Sequence, residues 1–279
     1  MTVSLPKTVD EAVAALGDGS AQVLAGGTDF MVEVNAGLRR PETVVALRGV
    51  RELRGWTHEG DGVRLGSGLT YTEMLEPSLA ALVPALAHAA RTVGSPPIRN
   101  AGTVGGNLAT ASPAGDTLPV LAALDAIVEV AGPAGTRHVP IQEFVVGPKR
   151  NSLAPAELVI AVRVPVLEGP QEYRKVGTRN AMVIAVASLA LALDVAGHTV
   201  RCALGSVGPR PLRATEAERW LATRIDWDRL AADPADVGRF GDLVAAAALP
   251  IDDHRSTAAY RRHAVGVLAR RAASKALAA

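Results

Sequence analysis

Apolar positions recur at helical spacing near the start of the chain: Ala12, Val13 and Leu16 share one face of a helix predicted over 10–16. Gly17-Asp18-Gly19 breaks it, and the mostly apolar run 21–25 reads as a strand. Gly26-Gly27 then turns the chain, Thr28 or Asp29 is placed to cap a short helix through Val34, and Gly37 lies beyond its end. Short apolar pieces punctuated by glycine, at 44–47 and 63–66, read as strands of a second subdomain. A helix is predicted over 78–92, with Pro84 kinking it or dividing it into two end to end.

The segment 94–115 is rich in Gly, Pro, Ser, Thr and Asn and reads as a long loop, which compact domains rarely keep without a function for it. Asp116 stands as the N-cap of a helix over 118–124, and 126–130 and 158–164 read as strands by length and β-branching. The stretch 165–170 is a linker. Beyond it, apolar runs at 182–195 and 199–206 flank Ala196-Gly197-His198, the pattern of a hairpin. Helices are predicted over 215–223, 237–247 and 258–278, and no fixed-period repeat or low-complexity tract is present.

At 279 residues the chain suits two domains. Its 29 Lys and Arg balance 28 Asp and Glu, so no basic field argues for nucleic acid or an anionic membrane surface. A single cysteine, Cys202, excludes an intrachain disulfide and an iron-sulfur cluster held by this chain alone; it falls in an apolar strand and reads as a buried, inert thiol. No window offers roughly twenty apolar residues free of charges and prolines, and the N-terminus, with Lys7, has no uninterrupted apolar core. We expect a soluble, cytoplasmic protein without membrane insertion. Aromatic residues make up only 3%, which limits the surfaces available for stacking a ligand.

Two glycine segments carry the chemical signal: Leu24-Ala25-Gly26-Gly27-Thr28-Asp29 and Thr103-Val104-Gly105-Gly106-Asn107-Leu108. Glycine reaches positive φ at little cost and keeps no side chain between backbone and ligand, so each segment is expected to present several N–H groups outward, a surface suited to phosphates. Thr103 and Asn107 add side-chain donors. Neither segment matches the Rossmann or P-loop glycine patterns, and one Gly-Gly turn alone is ordinary. The six histidines, His58, His88, His138, His198, His254 and His263, show no metal-ligand spacing and lie outside the glycine segments, so surface or capping roles are expected.

AGGTDF at 25–30 and IRNAGTVGGNLATASPAGDTLPVLAALDA at 98–126 resemble the paired flavin motifs of the FAD-binding medium subunit of the carbon monoxide dehydrogenase and xanthine dehydrogenase family of molybdenum hydroxylases. FVVGPKR (144–150), YRKVGTRNAMVIAVA (173–187), GSVGPRPLRATEAE (205–218) and DDHRSTAAYRRHAVGVLARRA (252–272) extend the resemblance over essentially the whole chain. The resemblance implies an α+β flavoprotein. Residues 1–167 would form a PCMH-like FAD-binding domain of the molybdopterin dehydrogenase type, with subdomains about 1–52 and 53–167. Residues 168–279 would form a C-terminal domain of the carbon monoxide dehydrogenase flavoprotein type, antiparallel sheet plus helices.

Carried over by motif, Leu24, Ala25, Gly26, Gly27, Thr28 and Asp29 would lie on one side of a non-covalent FAD pyrophosphate, and Thr103, Gly105, Gly106 and Asn107 on the other. Asp116 matches an aspartate at the adenosine end, Lys175 a lysine near the flavin and Val159 an aliphatic contact on the flavin side. Each has a plainer reading: Asp116 as helix N-cap, Lys175 as the exposed face of a strand, Val159 as core. The chain departs from the pattern at Val93, where some relatives stack an aromatic ring on adenine, which implies modest FAD affinity. It departs again at Met182 and Val183, which leave an apolar wall where relatives place acidic or aromatic residues. The resemblance further implies partners: a large subunit carrying molybdenum pterin, a small one carrying two 2Fe-2S clusters, and a small-molecule electron acceptor (NAD, a quinone or dioxygen). No catalytic residue and no metal ligand is expected in this chain. Two rival readings are an autonomous flavin oxidoreductase, which would need an acid or base beside the flavin, and a flavin-poor scaffold subunit.

Overall fold

The computed structural model describes residues 1–17 and 19–277. Its first layer is built by strand β1 (Thr2–Ser4), helix α1 (Val9–Leu16), β2 (Gln22–Leu24), α2 (Phe30–Asn35) and β3 (Thr43–Ala46). The three strands run parallel in the order β1-β3-β2, so β3 is central and its Val44, Val45 and Ala46 are buried. Thr8 starts α1 by accepting from Glu11 N at 3.1 Å, while the Glu11 carboxylate accepts from Lys7 N at 2.7 Å, so two orphan donors at the helix start are satisfied reciprocally. The strand expected at 44–47 belongs to this first sheet and not to the second subdomain. Parallel pairing with β1 and β2 satisfies the backbone groups along both of its edges.

A second layer follows: β4 (Trp56–Glu59), β5 (Gly62–Gly66), α3 (Pro77–Leu82), α4 (Pro84–Thr92), α5 (Pro96–Ala101), α6 (Val104–Thr110), α7 (Thr117–Ala123), β6 (Ile127–Gly132), β7 (Gly135–Pro140), α8 (Ile141–Phe144), β8 (Val145–Gly147), β9 (Arg150–Asn151) and β10 (Leu158–Pro165). Strands β4, β5, β10, β6 and β7 make an antiparallel sheet in that order, and β8 pairs with β9. Val63, Leu65, Val128, Val130, Val162 and Val164 face inward onto Leu86, Leu108, Leu118 and Leu121 of the helices, the period-2 pattern of a half-buried sheet. On the outer face the buried Glu129 binds Arg64 at 2.9 Å and also Arg163. Pro84 does divide 77–92 into two helices.

The expected long loop at 94–115 is a correction. Most of it is helical, as α5 and α6, and the second Gly-Gly pair lies in the first turn of α6. Two local features outweigh the low helix propensity of glycine. The Thr103 hydroxyl caps α6 by accepting from Gly106 N at 3.0 Å, and Val104 and Leu108 are fully buried on its inner face.

The third layer comprises β11 (Gln171–Val176), β12 (Ala187–Asp194), β13 (Thr199–Gly205), β14 (Leu212–Arg213), α9 (Thr215–Ala222), α10 (Pro234–Ala247) and α11 (Ala258–Ala276). The strands form an antiparallel sheet in chain order, and β12 and β13 join through the hairpin at 196–198. Along β12, Leu189, Leu191 and Leu193 face the C-terminal helices, while Ala190 and Ala192 join the core of the second layer. This strand is buried on both faces, with bulky residues toward one neighbour and small ones toward the other. Residues 182–186 lie outside it: Met182 has φ +50°, and Arg179 Nε donates to its carbonyl at 3.1 Å. Cys202 is fully buried on β13, and burial pushes its thiol well up. His88 is half-buried and the other five histidines are exposed. The helix expected to reach 278 ends at Ala276; Asp18 and residue 278 lie outside the described residues. Among the described residues no helix is long and apolar enough to cross a membrane, and no cluster of candidate metal ligands occurs.

Candidate functional site

A cavity of about 570 Å³ opens between the first and second layers, within the roughly 300–1,000 Å³ typical of small-ligand sites. One wall is the turn between β2 and α2, with Ala25, Gly26, Gly27, Thr28 and Asp29 lining it. The facing wall is α5 and α6, contributing Ala101, Thr103, Gly105, Gly106 and Asn107. Val159, at the bulge in β10, forms part of the lining although it is only 3% exposed and packs into the core. Core residue and cavity wall are therefore compatible roles for it.

The two glycine segments meet directly. A Cβ at Gly26 would lie 1.8 Å from the carbonyl oxygen of Ala101, so only glycine lets the β2–α2 turn approach the end of α5. Gly27 has φ +74°, the left-handed region that turns the chain into α2 over the Leu24 side chain. Among the described residues, the main-chain N–H groups of Gly26, Gly27, Thr28 and Asp29 donate to no protein acceptor. Consecutive N–H groups without a protein acceptor on a cavity wall are the raw material of an anion-binding concavity. Asp29 precedes α2 but makes no side-chain cap; its carboxylate accepts from Thr110 Oγ1 at 3.4 Å.

The second segment behaves differently from the expectation. Val104 N donates to Leu69 O at 3.0 Å, Gly105 N to Ser67 O at 2.8 Å and Gly106 N to Thr103 Oγ1 at 3.0 Å. These three N–H groups are spent inside the protein. A Cβ at Gly105 would meet Ser67 at 2.5 Å, so that glycine serves close packing of α6 on the second sheet. What α6 offers the cavity is Asn107, whose Oδ1 accepts from Thr117 Oγ1 at 2.5 Å and whose Nδ2 donates to no described residue.

At the mouth, Glu33 of α2 pairs with Lys149 at 3.1 Å and with Arg39 at 2.8 Å. The hydrogen bond from Lys149, aided by the charges of both cations, holds the Glu33 carboxyl below its ordinary value against its slight burial. Sequence reasoning named neither Glu33 nor Arg39. Lys149 fell inside the FVVGPKR stretch without being assigned a role.

Leu24, Val93, Asp116 and Lys175 do not line the cavity. Leu24 ends β2, paired with Ala46, and lies beneath the Gly27 turn. Val93 follows α4 and packs on the second-layer core. Asp116 precedes α7 in helical backbone geometry and caps nothing; its carboxylate accepts from Tyr173 Oη at 2.6 Å and from Lys175 Nζ at 2.7 Å. Lys175 is not on an exposed strand face. Its side chain is 9% exposed, and Nζ donates also to Thr92 O at 2.9 Å and Val183 O at 3.1 Å. Burial pushes Asp116 up against the opposing pull of Lys175 and Tyr173, and burial followed by the charge of Asp116 raises the Tyr173 phenol.

Residues 1–167 match the family model described as the FAD binding domain in molybdopterin dehydrogenase, and residues 171–276 match the carbon monoxide dehydrogenase flavoprotein C-terminal domain. The glyceraldehyde dehydrogenase medium chain of Sulfolobus acidocaldarius is 32% identical over 260 residues, covering 92% of this chain and 90% of that one. The xanthine dehydrogenase FAD-binding subunit of Escherichia coli O157:H7 is 34% identical over 225 residues, covering 76% of each. Among solved structures, a chain of the carbon monoxide dehydrogenase of Hydrogenophaga pseudoflava superposes with a TM-score of 0.91 at 31% identity, covering 99% of this chain and 96% of that one. With domain models spanning nearly its full length and a matching fold, this chain belongs to the family of FAD-binding medium subunits of molybdenum hydroxylases of the carbon monoxide and xanthine dehydrogenase type.

Proposed function

We propose that this chain is the electron-transferring medium subunit of a cytoplasmic molybdenum hydroxylase. In this role it holds non-covalent FAD, receives electrons from the 2Fe-2S clusters of a small subunit and delivers them to a small-molecule acceptor. A molybdenum-pterin large subunit would choose the substrate. The observation that carries the reading is the row of four N–H groups at 26–29 without a protein acceptor, on residues that line a cavity of ligand size opposite α6. A pyrophosphate supplies the acceptor oxygens those donors lack, and the glycines leave it room.

The residues proposed to hold FAD fall into two groups. Ala25, Gly26, Gly27, Thr28 and Asp29 would cradle the pyrophosphate, with Leu24 supporting their turn, while Thr103, Gly105, Gly106, Asn107 and Val159 shape the opposite side. Asp116, Lys175 and Val93 lie outside the cavity, where the Asp116–Lys175 pair ties the second layer to the third. In the proposed role they support the cofactor's surroundings. When bound, FAD takes up and releases electrons singly or in pairs. The chain's own contribution is to bind it, orient it and exclude water.

An absorption spectrum of the purified chain, before and after adding FAD and again after heat denaturation, tests the reading. Flavin bands near one equivalent that leave the protein on denaturation are expected. Absence of bands both in the chain and in its co-purified assembly would leave the flavin-poor scaffold role instead.

A further inference from the structure

Tyr71 sits beneath the junction of the two glycine segments. Its main-chain N–H donates to Gly102 O at 3.1 Å, and its ring packs so closely on Gly102 that a Cβ there would lie 2.7 Å from Cε2. Gly102 directly follows Ala101, whose carbonyl abuts Gly26. The ring is only 6% exposed, yet Tyr71 lines the cavity, and its phenol hydroxyl forms no hydrogen bond with any described residue.

That is unusual among the three tyrosines: Tyr173 is bonded to Asp116, and Tyr260 is half exposed. Although the ring is buried, the hydroxyl oxygen is not sealed off: it opens onto the cavity, a donor free for whatever occupies that space. Burial, with Asp116 and Asp29 both bearing on the phenol, keeps it protonated and therefore a donor. Neither carboxylate is hydrogen-bonded to it, so the phenol O–H remains available to the cavity.

We propose that Tyr71 is a further dinucleotide-positioning residue, its phenol O–H donating to a phosphate oxygen of the nucleotide held at 26–29. This rests on the FAD reading above. It adds a side-chain donor from the second layer to the backbone donors of the first, so the two layers grip one group together. Asn107 is the corresponding free amide donor on α6.

The test is calorimetric titration of the full chain, stripped of nucleotide, with FAD and with ADP, comparing wild type with Tyr71→Phe. The phenylalanine ring still fills the space under Gly102, so the nucleotide-free proteins are expected to melt at the same temperature. Loss of one hydrogen bond to a charged oxygen is expected to raise Kd about tenfold for both ligands. Equal affinities in the two proteins would overturn the assignment, as would a lower melting temperature with unchanged Kd, which marks a purely structural hydroxyl. A loss confined to FAD would overturn the phosphate contact. Failure of the wild type to bind FAD at all is a separate result, and refutes the parent reading.

Discussion

Lys175 Nζ and Asp116 Oδ2 stand 2.7 Å apart across the seam between the second and third layers, both side chains 9% exposed. Two carbonyl oxygens and a phenol complete the cluster, so the buried charges keep nearly all their partners. Such a pair adds little over an apolar substitute, but removing one partner strands the other in a low-dielectric site.

Lys175→Met is therefore expected to destabilise the chain by about 3–5 kcal/mol, and Asp116→Asn added to it to restore a large part of that. Urea unfolding of the two single variants and the double variant measures the coupling. Additive losses would show that the ion pair does not connect the layers.

Gly26→Ala is expected to fail at the contact between the glycine segments, because nothing but backbone faces the new methyl group at 1.8 Å. Either the turn or α5 must move, at a cost of about 1–3 kcal/mol, and FAD binding should be lost. At Gly106 the nearest atom is the Thr103 hydroxyl at 3.1 Å, so Gly106→Ala should cost the fold less, and its effect on FAD binding reports how closely the cofactor approaches α6. Thermal melts with and without FAD distinguish the two.

Acid should loosen the start of α11. Asp253 accepts from Arg255 N at 2.8 Å, Ser256 N at 3.2 Å and Arg261 Nη2 at 2.6 Å, which together lower its pKa to about 2. Arg261 in turn donates to the carbonyls of Val186 and Ser206, just beyond the start of β12 and the end of β13, the central strands of the third sheet. A depressed carboxylate contributes stability above its unfolded pKa of roughly 3.9, and the contribution fades as pH falls toward 2. Asp253→Asn should flatten the unfolding midpoint over that window and leave its slope at higher pH unchanged.

Cys202 is sealed between the third sheet and its helices, its pKa raised first by burial and then by the charge of Glu218. Its reaction with a thiol reagent should follow the global unfolding curve in denaturant. Fast labelling under native conditions would contradict the burial.

Much of this organisation was legible along the chain. Ala12 and Leu16 at helical spacing, the proline dividing 77–92, the hairpin at 196–198 and the three C-terminal helices all follow from interactions between near neighbours, which sequence order carries directly. The segment 94–115 was misread because its composition favours loops, whereas burial of Val104 and Leu108 and the Thr103 cap made most of it helical. Asp116 was misread as a cap for the same reason: position along the chain suggested a helix start, and Lys175, 59 residues away, claimed its carboxylate.

By itself, then, the sequence determined the family, the α+β class and the location of the two glycine segments, since each rests on residue types at fixed spacing. Only the tertiary structure decided that one segment keeps its N–H groups free while the other spends them on Leu69, Ser67 and Thr103. It alone brought Tyr71 beneath Gly102 and Lys149 onto Glu33. Hydrogen bonds and ion pairs depend on distances in space, and, the local Thr103 cap aside, partners as far apart as Lys149 and Glu33, 116 residues, leave no periodic trace along the chain.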